Sequence, residues 1–197
     1  NYFESGIRFR NKIVDDAGKT YEAGHYDHGN GIVAADVDCD GHKDLYFVSQ
    51  VGGNELWRSL GDGRFENITE RAGVALRDRI GVSAAFADID NDGDADLFAT
   101  TVRGGNALFE NDGTGKFRDI SKTSGTDYTG HSSGAVFFDF NRDGLLDLFV
   151  TNVGQYTTDQ KRLVTMEKMR NESQDAFYYY DGIPDAFGGH LKPERNE

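Results

Sequence analysis

Cysteine, proline and long apolar runs are scarce in this chain of 197 residues, which has one Cys and two Pro. A single cysteine, Cys39, excludes an internal disulfide framework, so the cysteine count does not indicate a redox compartment. No run of 18 apolar residues occurs, and we therefore expect no direct insertion into a membrane. The first residues, NYFESG, lack the basic and apolar regions of a signal peptide. We expect any such peptide to be removed or to lie outside this segment.

Positive charge is also in short supply. The chain has 21 Lys and Arg residues and 34 Asp and Glu residues, which gives a formal charge of -13. Nucleic acid and anionic membrane surfaces would repel such a chain, so we expect no nucleic-acid partner and instead favour cations or a basic partner. The 14 Phe and 9 Tyr residues argue against disorder, and 25 Gly with two Pro are typical of an all-β chain with tight turns between short strands.

A nine-residue acidic pattern occurs three times, as 36-DVDCDGHKD-44 (loop 1), 88-DIDNDGDAD-96 (loop 2) and 139-DFNRDGLLD-147 (loop 3). The first residues of the loops are 52 and then 51 positions apart (88 - 36 and 139 - 88). Short apolar runs precede and follow each loop, which predicts that each loop joins two strands. We number the positions within each loop from 1 to 9.

A second block repeats downstream of the first two loops, at 53–73 and 105–125. The pattern predicts four strands per unit, at 31–36, 44–50, 54–59 and 64–69, then at 83–88, 96–102, 106–111 and 116–121. Four antiparallel strands in about 50 residues predict an all-β fold, a β-propeller of four-stranded blades. Unrelated hairpins in a β-sandwich are disfavoured, because Asn54 and Asn106, Phe65 and Phe117, and Gly73 and Gly125 match at one offset.

The predicted organisation places the end of a preceding blade and a connection at 1–30 and complete blades at 31–82 and 83–130. The segment 131–197 would begin a further blade, carry an insertion of about 155–195 and end inside the blade. We therefore expect a partial propeller with two uncovered blade faces, which would not fold autonomously. Within the insertion, residues 157–173 predict a short amphipathic helix and 177–197 an aromatic loop, either a lid on the propeller or a partner-contact surface.

The three loops have the oxygen spacing of a site for a hard cation. Calcium takes six to eight oxygen ligands, and Gly at position 6 permits the turn. An EF-hand is excluded because position 12 is not Glu, and magnesium fits less well because it requires a tighter octahedron. We expect three Ca²⁺ ions, although a solvated charged turn is the alternative. The predicted ligands are side chains at positions 1, 3, 5 and 9 and a backbone carbonyl at position 7: Asp36, Asp38, Asp40, Asp44 and His42; Asp88, Asp90, Asp92, Asp96 and Asp94; Asp139, Asn141, Asp143, Asp147 and Leu145.

Position 9 is expected to matter most, since its carboxylate could hold the ion through both oxygens. Asp96→Ala is then expected to lower the melting temperature in calcium but to change little in chelator, whereas Cys39→Ser changes neither. Outside the predicted ligands, His28 and His131 each precede a first loop aspartate by eight residues. They are either ligands near a central channel or ordinary hydrogen-bonded turn residues. Cys39 at position 4 is expected to point away from the ion.

The units resemble the FG-GAP or VCBS repeats of integrin α-subunit propellers. The motifs GNELWRSLGDGRFENITERAG, TNVGQY and PDAFGGHLKPERNE resemble those of bacterial relatives of cartilage acidic protein, which are often joined to an ASPIC/UnbV-type domain. The resemblance implies a calcium-stabilised propeller, usually of seven blades, that is exported and used for adhesion or assembly. The sequence departs from this pattern in its incomplete blade count and in lacking an ASPIC/UnbV segment.

Two function classes follow. The first is a non-enzymatic scaffold or interaction module that is extracellular, on the cell surface or periplasmic, with a protein partner or larger assembly. The second is the propeller part of a larger secreted carbohydrate-active enzyme, a lyase or hydrolase, with carbohydrate as the ligand. Catalysis by the loop carboxylates is disfavoured because metal-ligand spacing would keep them ionised and occupied. An aromatic carbohydrate-binding groove would favour the enzyme, but only Trp57 and 178-YYY-180 offer such a surface.

Overall fold

The computed structural model describes residues 2–10, 31–153, 157–163 and 178–182. The chain divides into two units, with residues 1–12 and 29–152 in unit 1 and residues 13–28 and 153–197 in unit 2. The first helix, α1, is Tyr2–Ser5. Among the described residues, every helix is too short and too polar to cross a membrane.

Unit 1 contains two four-stranded antiparallel sheets whose strands are neighbours in chain order. Sheet 1 consists of β1 Ile32–Ala35, β2 Asp44–Phe47, β3 Glu55–Ser59 and β4 Phe65–Asn67. Sheet 2 consists of β5 Ile80–Ala87, β6 Asp96–Val102, β7 Ala107–Asn111 and β8 Phe117–Asp119. All eight predicted strands are present, mostly with shorter bounds, and this all-β arrangement fits the β-propeller.

Strand β5 begins three residues before its predicted start at 83. Ile80 already pairs with Val102, and the register then shifts between Gly81 and Ser83. The shift is a β-bulge, which adds a residue on one strand and interrupts the alternation of side chains. The apolar pattern from which the strand was predicted therefore begins only after the bulge.

The core of unit 1 lies between successive sheets. Every residue of β6 is buried, as expected for a strand covered on both faces. Aromatic edges contribute to the packing: the Tyr46 and Phe86 ring centroids are 6.4 Å apart, and those of Phe98 and Phe137 are 6.2 Å apart. The buried Tyr46 hydroxyl donates to the Val74 carbonyl at 2.8 Å, which satisfies its polar group.

The repeated asparagines Asn54 and Asn106 precede the third strand of each sheet and are both buried. Asn54 Oδ1 accepts the Ser49 N–H at 2.9 Å, and Asn106 Oδ1 accepts the Thr101 N–H at 3.0 Å. Each side chain thus satisfies a buried backbone donor. This shared task explains why asparagine recurs at the same offset.

A one-turn helix follows the last strand of each four-stranded sheet, α2 at Thr69–Ala72 and α3 at Ser121–Ser124. Both end at glycines in the left-handed region, Gly73 with φ 80° and Gly125 with φ 72°. Glycine adopts this conformation without steric cost. The matched glycines in the sequence are therefore helix caps rather than simple turn residues.

Sheet 3 pairs β9 Ser132–Phe138 with β10 Asp147–Asn152. Large apolar side chains of this sheet and of loop 3 are exposed, up to 76% for Phe140 in the loop. They are Val136, Phe138 and Phe149 in the strands and Phe140, Leu145 and Leu146 in the loop. Within unit 1, the described strands leave these side chains open to solvent.

In unit 2, β11 Thr157–Leu163 pairs antiparallel with β12 Tyr178–Gly182. The predicted helix over 157–173 is therefore wrong for 157–163, and the predicted loop over 177–197 is wrong for 178–182. Threonines and consecutive tyrosines have high strand propensity, and pairing between the two segments outweighs the weak helical periodicity. The rest of the predicted helix and loop lies outside the described residues.

Candidate metal loops

Each acidic loop connects the first two strands of its sheet. Loop 1 joins β1 to β2, loop 2 joins β5 to β6, and loop 3 joins β9 to β10. In each case the residue before position 1 pairs with the aspartate at position 9: Ala35 with Asp44, Ala87 with Asp96, and Phe138 with Asp147. The antiparallel strands thus bring the ends of each loop together.

The aspartate at position 1 organises the turn in all three loops. Asp36 Oδ1 accepts the Asp40 N–H at 3.1 Å, and its Oδ2 accepts the Gly41 N–H at 2.8 Å. Asp88 and Asp139 accept the equivalent pairs of N–H groups at 3.0–3.2 Å. One carboxylate therefore binds two consecutive backbone donors and wraps the loop around itself.

Two positions in each loop have left-handed backbone. Position 6 is glycine throughout, with φ of 87°, 97° and 87° at Gly41, Gly93 and Gly144. Position 4 is also left-handed although it is never glycine, with φ of 57° at Cys39, 62° at Asn91 and 63° at Arg142. Among non-glycine residues, asparagine adopts this region most readily. The sequence interpretation found the first requirement but missed the second.

Cys39→Asn is expected to raise the melting temperature by about 1–3 °C, because asparagine relieves part of the left-handed strain at position 4. Differential scanning calorimetry of the variant and parent, in chelator, measures the shift. Cys39→Ser is the control and should change little, since serine has no comparable preference for this region. A Cys39→Asn protein that melts below its parent would contradict this explanation.

The aspartate at position 9 holds the loop against the third strand. Asp44 and Asp96 are buried, at 0% and 1% exposure. In loop 1, Asp44 Oδ2 accepts the Val37 N–H at 2.9 Å and its Oδ1 accepts the Ser59 N–H at 2.7 Å. Both oxygens are thus engaged by backbone donors, and burial raises the pKa of the Asp44 carboxyl above its ordinary value.

Asp96 has the same arrangement in loop 2, with Oδ2 accepting the Ile89 N–H at 2.9 Å and Oδ1 the Asn111 N–H at 2.8 Å. Burial likewise raises the pKa of its carboxyl. These two hydrogen bonds change the expectation for Asp96→Ala in chelator: the variant should lose stability there too, because the side chain accepts two backbone N–H groups without an ion. In loop 3, Asp147 Oδ2 accepts the Phe140 N–H at 2.8 Å, but Asp147 is exposed.

Carboxylate oxygens converge in the first two loops. Single oxygens of Asp36, Asp38 and Asp40 lie within 4.8 Å of one another, as do those of Asp88, Asp90 and Asp96. Such hard oxygen sets suit calcium. The Oδ1 atom of Asp38, a predicted side-chain ligand of loop 1, is buried and has no hydrogen-bond partner among the described residues. The same holds for Oδ1 of Asp94, although Asp94 is predicted to bind through its backbone carbonyl. An orphaned buried oxygen of this kind is expected where a cation supplies the missing partner.

Charge crowding is strongest in loop 2. Burial, followed by the nearby Asp92, Asp96, Asp90 and Asp88 carboxylates, raises the pKa of Asp94 to about 6. Burial raises the pKa of Asp90 too, with further contributions from Asp92 and Glu110. Like charges that close disfavour ionisation. A divalent cation would reverse this effect and fits the loop.

Position 7 supplies the predicted backbone carbonyl, from His42, Asp94 or Leu145. The N–H of each of these residues donates to the position 5 carboxylate, at 2.9, 3.1 and 2.8 Å in loops 1, 2 and 3. This bond fixes the turn at the residue that carries the predicted carbonyl ligand. In loop 3, the Asn141 amide also donates to Asp143 Oδ2 at 2.8 Å, so this loop has fewer charges and more internal hydrogen bonding.

Neighbouring loops contact one another within unit 1. The Asn91 amide in loop 2 donates to the Gly144 carbonyl in loop 3 at 3.2 Å. The Asn111 amide donates to the Val37 carbonyl in loop 1 at 2.9 Å. Loop 2 thus contacts loop 3 directly, and strand β7 of sheet 2 contacts loop 1.

Arg58 was missed by sequence reasoning. It lies on β3, where Nε donates to Asp38 Oδ2 and Nη2 donates to Asp40 Oδ2 at 2.9 Å. Its equivalent in the second repeated block is Glu110, at the same offset of 52 (110 - 58). A comparison of charge at each position of that block would have revealed the difference.

Of the other candidate residues, His131 and Cys39 lie in the described part of the chain, whereas His28 does not. His131 is buried and forms a β-bridge with Val102 at the start of sheet 3, while His28 lies outside the described residues. Cys39 is exposed, and partial desolvation with the nearby Asp36 raises the pKa of its thiol. A raised thiol pKa disfavours the reactive thiolate.

The profile of the FG-GAP-like repeat family matches residues 36–99 and 88–150, which include all three loops. Cartilage acidic protein 1 of Xenopus tropicalis is 27% identical over 155 residues, covering 77% of this chain and 24% of the relative. The Homo sapiens protein of that name is 26% identical over 141 residues, covering 70% of this chain and 21% of the relative. The Mus musculus protein is 25% identical over 169 residues, covering 77% of this chain and 26% of the relative. The chain thus matches about a quarter of each relative's length.

Proposed function

This chain belongs to the FG-GAP-like repeat family, and on that premise we propose that it is a calcium-binding β-propeller segment with a non-enzymatic role. The role is to bind a protein partner or to join a larger extracellular assembly. The observation that carries the proposal is the loop geometry. In each of three loops, the position 1 aspartate accepts the N–H groups of positions 5 and 6, with the other acidic groups at fixed spacing.

Calcium would offset the excess negative charge of the acidic loops. In loop 2 we propose that Asp88, Asp90, Asp92 and Asp96 hold the ion with their side chains, and Asp94 with its carbonyl. Loops 1 and 3 use the equivalent positions. The convergence of carboxylate oxygens in loops 1 and 2 and the buried Asp38 Oδ1 atom, which lacks a hydrogen-bond partner among the described residues, support this proposal.

We propose that the sheets are successive blades of a ring, with blades at 31–82 and 83–130 and a further blade that begins at 131. Support comes from the order of strands in each sheet and from the aromatic contacts between successive sheets. Seven blades is the number that the family resemblance implies. The 1–30 segment would then be the end of a preceding blade with a connection, and about 155–195 an insertion in the blade that begins at 131.

The proposed location is extracellular, on a cell surface or in a periplasm. Three curated relatives carry a name that refers to cartilage, an extracellular tissue. Calcium loops of millimolar affinity suit compartments rich in calcium. The formal charge of -13 favours a partner surface that is basic, since opposite potentials steer association.

Calcium binding is expected at three sites, with dissociation constants on the order of 0.1–1 mM. Isothermal titration calorimetry of the purified protein measures both the number of ions and their affinities. A parallel titration with magnesium is the control and should give weaker binding, because magnesium dehydrates reluctantly. Absence of calcium heat across the millimolar range would overturn the proposed function.

A further inference from the structure

A positive charge on the third strand of sheet 1 already contacts loop 1. The Arg58 guanidinium donates to Asp38 and Asp40, the predicted ligands at positions 3 and 5. The contact is sheltered, since the side chains of Arg58, Asp38 and Asp40 are 30%, 14% and 25% exposed. A planar guanidinium that bridges two carboxylates is a strong, directional interaction.

Loop 2 has the opposite charge at the equivalent place. Glu110 on β7 occupies the position equivalent to Arg58 on β3, and the next residue, Asn111, donates its N–H to Asp96 of loop 2. Arg118 pairs with Glu110 at 2.7 Å, and Arg118 is itself 71% exposed, so solvent screens much of its charge. Loop 2 therefore has five aspartates for a cation and no positive side chain at the strand position equivalent to Arg58. Loop 1 has four aspartates, and Arg58 competes with the cation for two of them.

We propose that Arg58 is a built-in counter-ion of loop 1, which competes with calcium for the Asp38 and Asp40 carboxylates. Loop 1 then binds calcium more weakly than loop 2 and keeps its shape when calcium is absent. The inference rests on the proposed calcium binding, and it assigns the loops different roles: loop 2 is filled first, and loop 1 fills only at higher calcium. Charge count is a known determinant of affinity in calcium loops.

Cys39 is the only cysteine in the chain and lies exposed at position 4 of loop 1, with Asp36 and Asp38 of loop 1 and Asp94 and Asp92 of loop 2 as nearby charges. A trifluoromethyl label on this thiol, in an Asp90→Ala background that weakens loop 2, reports calcium at loop 1 by fluorine NMR. Calorimetry on the same samples reports binding at all loops. In Arg58→Gln, the calcium concentration at the midpoint of the label shift should fall about tenfold, because one competing charge is removed.

Arg71→Gln is the matched control, since Arg71 pairs with Glu66 away from the loops and the variant loses the same charge. Its midpoint should equal that of the parent. Glu110→Arg is the reciprocal variant, and it should weaken calorimetric binding at loop 2 about tenfold. This variant also tests the inference if Arg58→Gln fails to fold.

An Arg58→Gln midpoint equal to that of the parent, with calcium heat still present, would overturn the role of Arg58 but leave the proposed function intact. Calcium binding to loop 2 that is as tight in Glu110→Arg as in the parent would also overturn the inference and leave the proposed function intact. Absence of calcium heat in the parent and in every variant would instead overturn both proposals. A selective fall of the midpoint in Arg58→Gln would support the inference.

Discussion

Replacing Asp96 by alanine is expected to lower the free energy of unfolding by about 2–4 kcal/mol, in chelator as well as in calcium. Its carboxylate accepts the Ile89 and Asn111 N–H groups in a site where Asp96 is 1% exposed. Alanine leaves both donors without a partner, at about 1–3 kcal/mol each. Alanine also removes a buried charge, which is favourable and offsets part of this cost. Urea unfolding followed by circular dichroism measures the change.

Asp90→Ala is the matched control for Asp96→Ala. Asp90 is exposed, and the hydrogen bond that its carboxylate accepts from the Asp92 N–H is long, at 3.3 Å. Its removal should cost little in chelator and should lower stability only in calcium. If Asp96→Ala unfolded like its parent in chelator, position 9 would not hold the loop to the third strand, and its importance would come from calcium alone.

Calcium is expected to stabilise the unmodified protein by about 1–3 kcal/mol for each site at which its concentration is ten- to a hundredfold above the dissociation constant. The free energy of binding becomes free energy of folding, because the unfolded chain has no assembled loop. Loop 2 should contribute most, since its five aspartates repel one another without an ion. Thermal unfolding in chelator and in millimolar calcium measures the difference in melting temperature.

Ionic strength needs its own control, because any salt screens repulsion among exposed carboxylates. Sodium chloride at matched ionic strength should give a much smaller shift than calcium, and magnesium an intermediate one. Equal shifts from sodium chloride and calcium would mean that the loops are solvated acidic turns. The Asp90→Ala variant should lose most of the calcium-specific shift, because it removes a carboxylate of loop 2.

The repeated positions could be predicted from the sequence because each performs a local task of the backbone. Position 1 accepts two N–H groups, position 6 needs glycine, and Asn54 and Asn106 satisfy a buried donor at the end of the second strand. Such tasks require one residue type at a fixed spacing. The strands of sheets 1 and 2 were predicted for the same reason.

The features that were missed depend on contacts between distant segments. Arg58 reaches loop 1 from 18 to 20 residues away, and the second oxygen of Asp96 meets Asn111 on the third strand. Strand β11 needs its pairing with β12 to outweigh a helical periodicity. Periodicity and spacing describe one segment at a time, so they could not show these contacts.

The central claim is that the acidic loops hold calcium, and a crystal structure determined in millimolar calcium tests it most directly. Anomalous scattering locates the ions independently of the protein atoms. We expect a peak in loop 2 with oxygen ligands at about 2.3–2.6 Å, including carboxylates of Asp88 and Asp90, and peaks in loops 1 and 3 as calcium rises. A loop 2 without an anomalous peak at saturating calcium would contradict the claim.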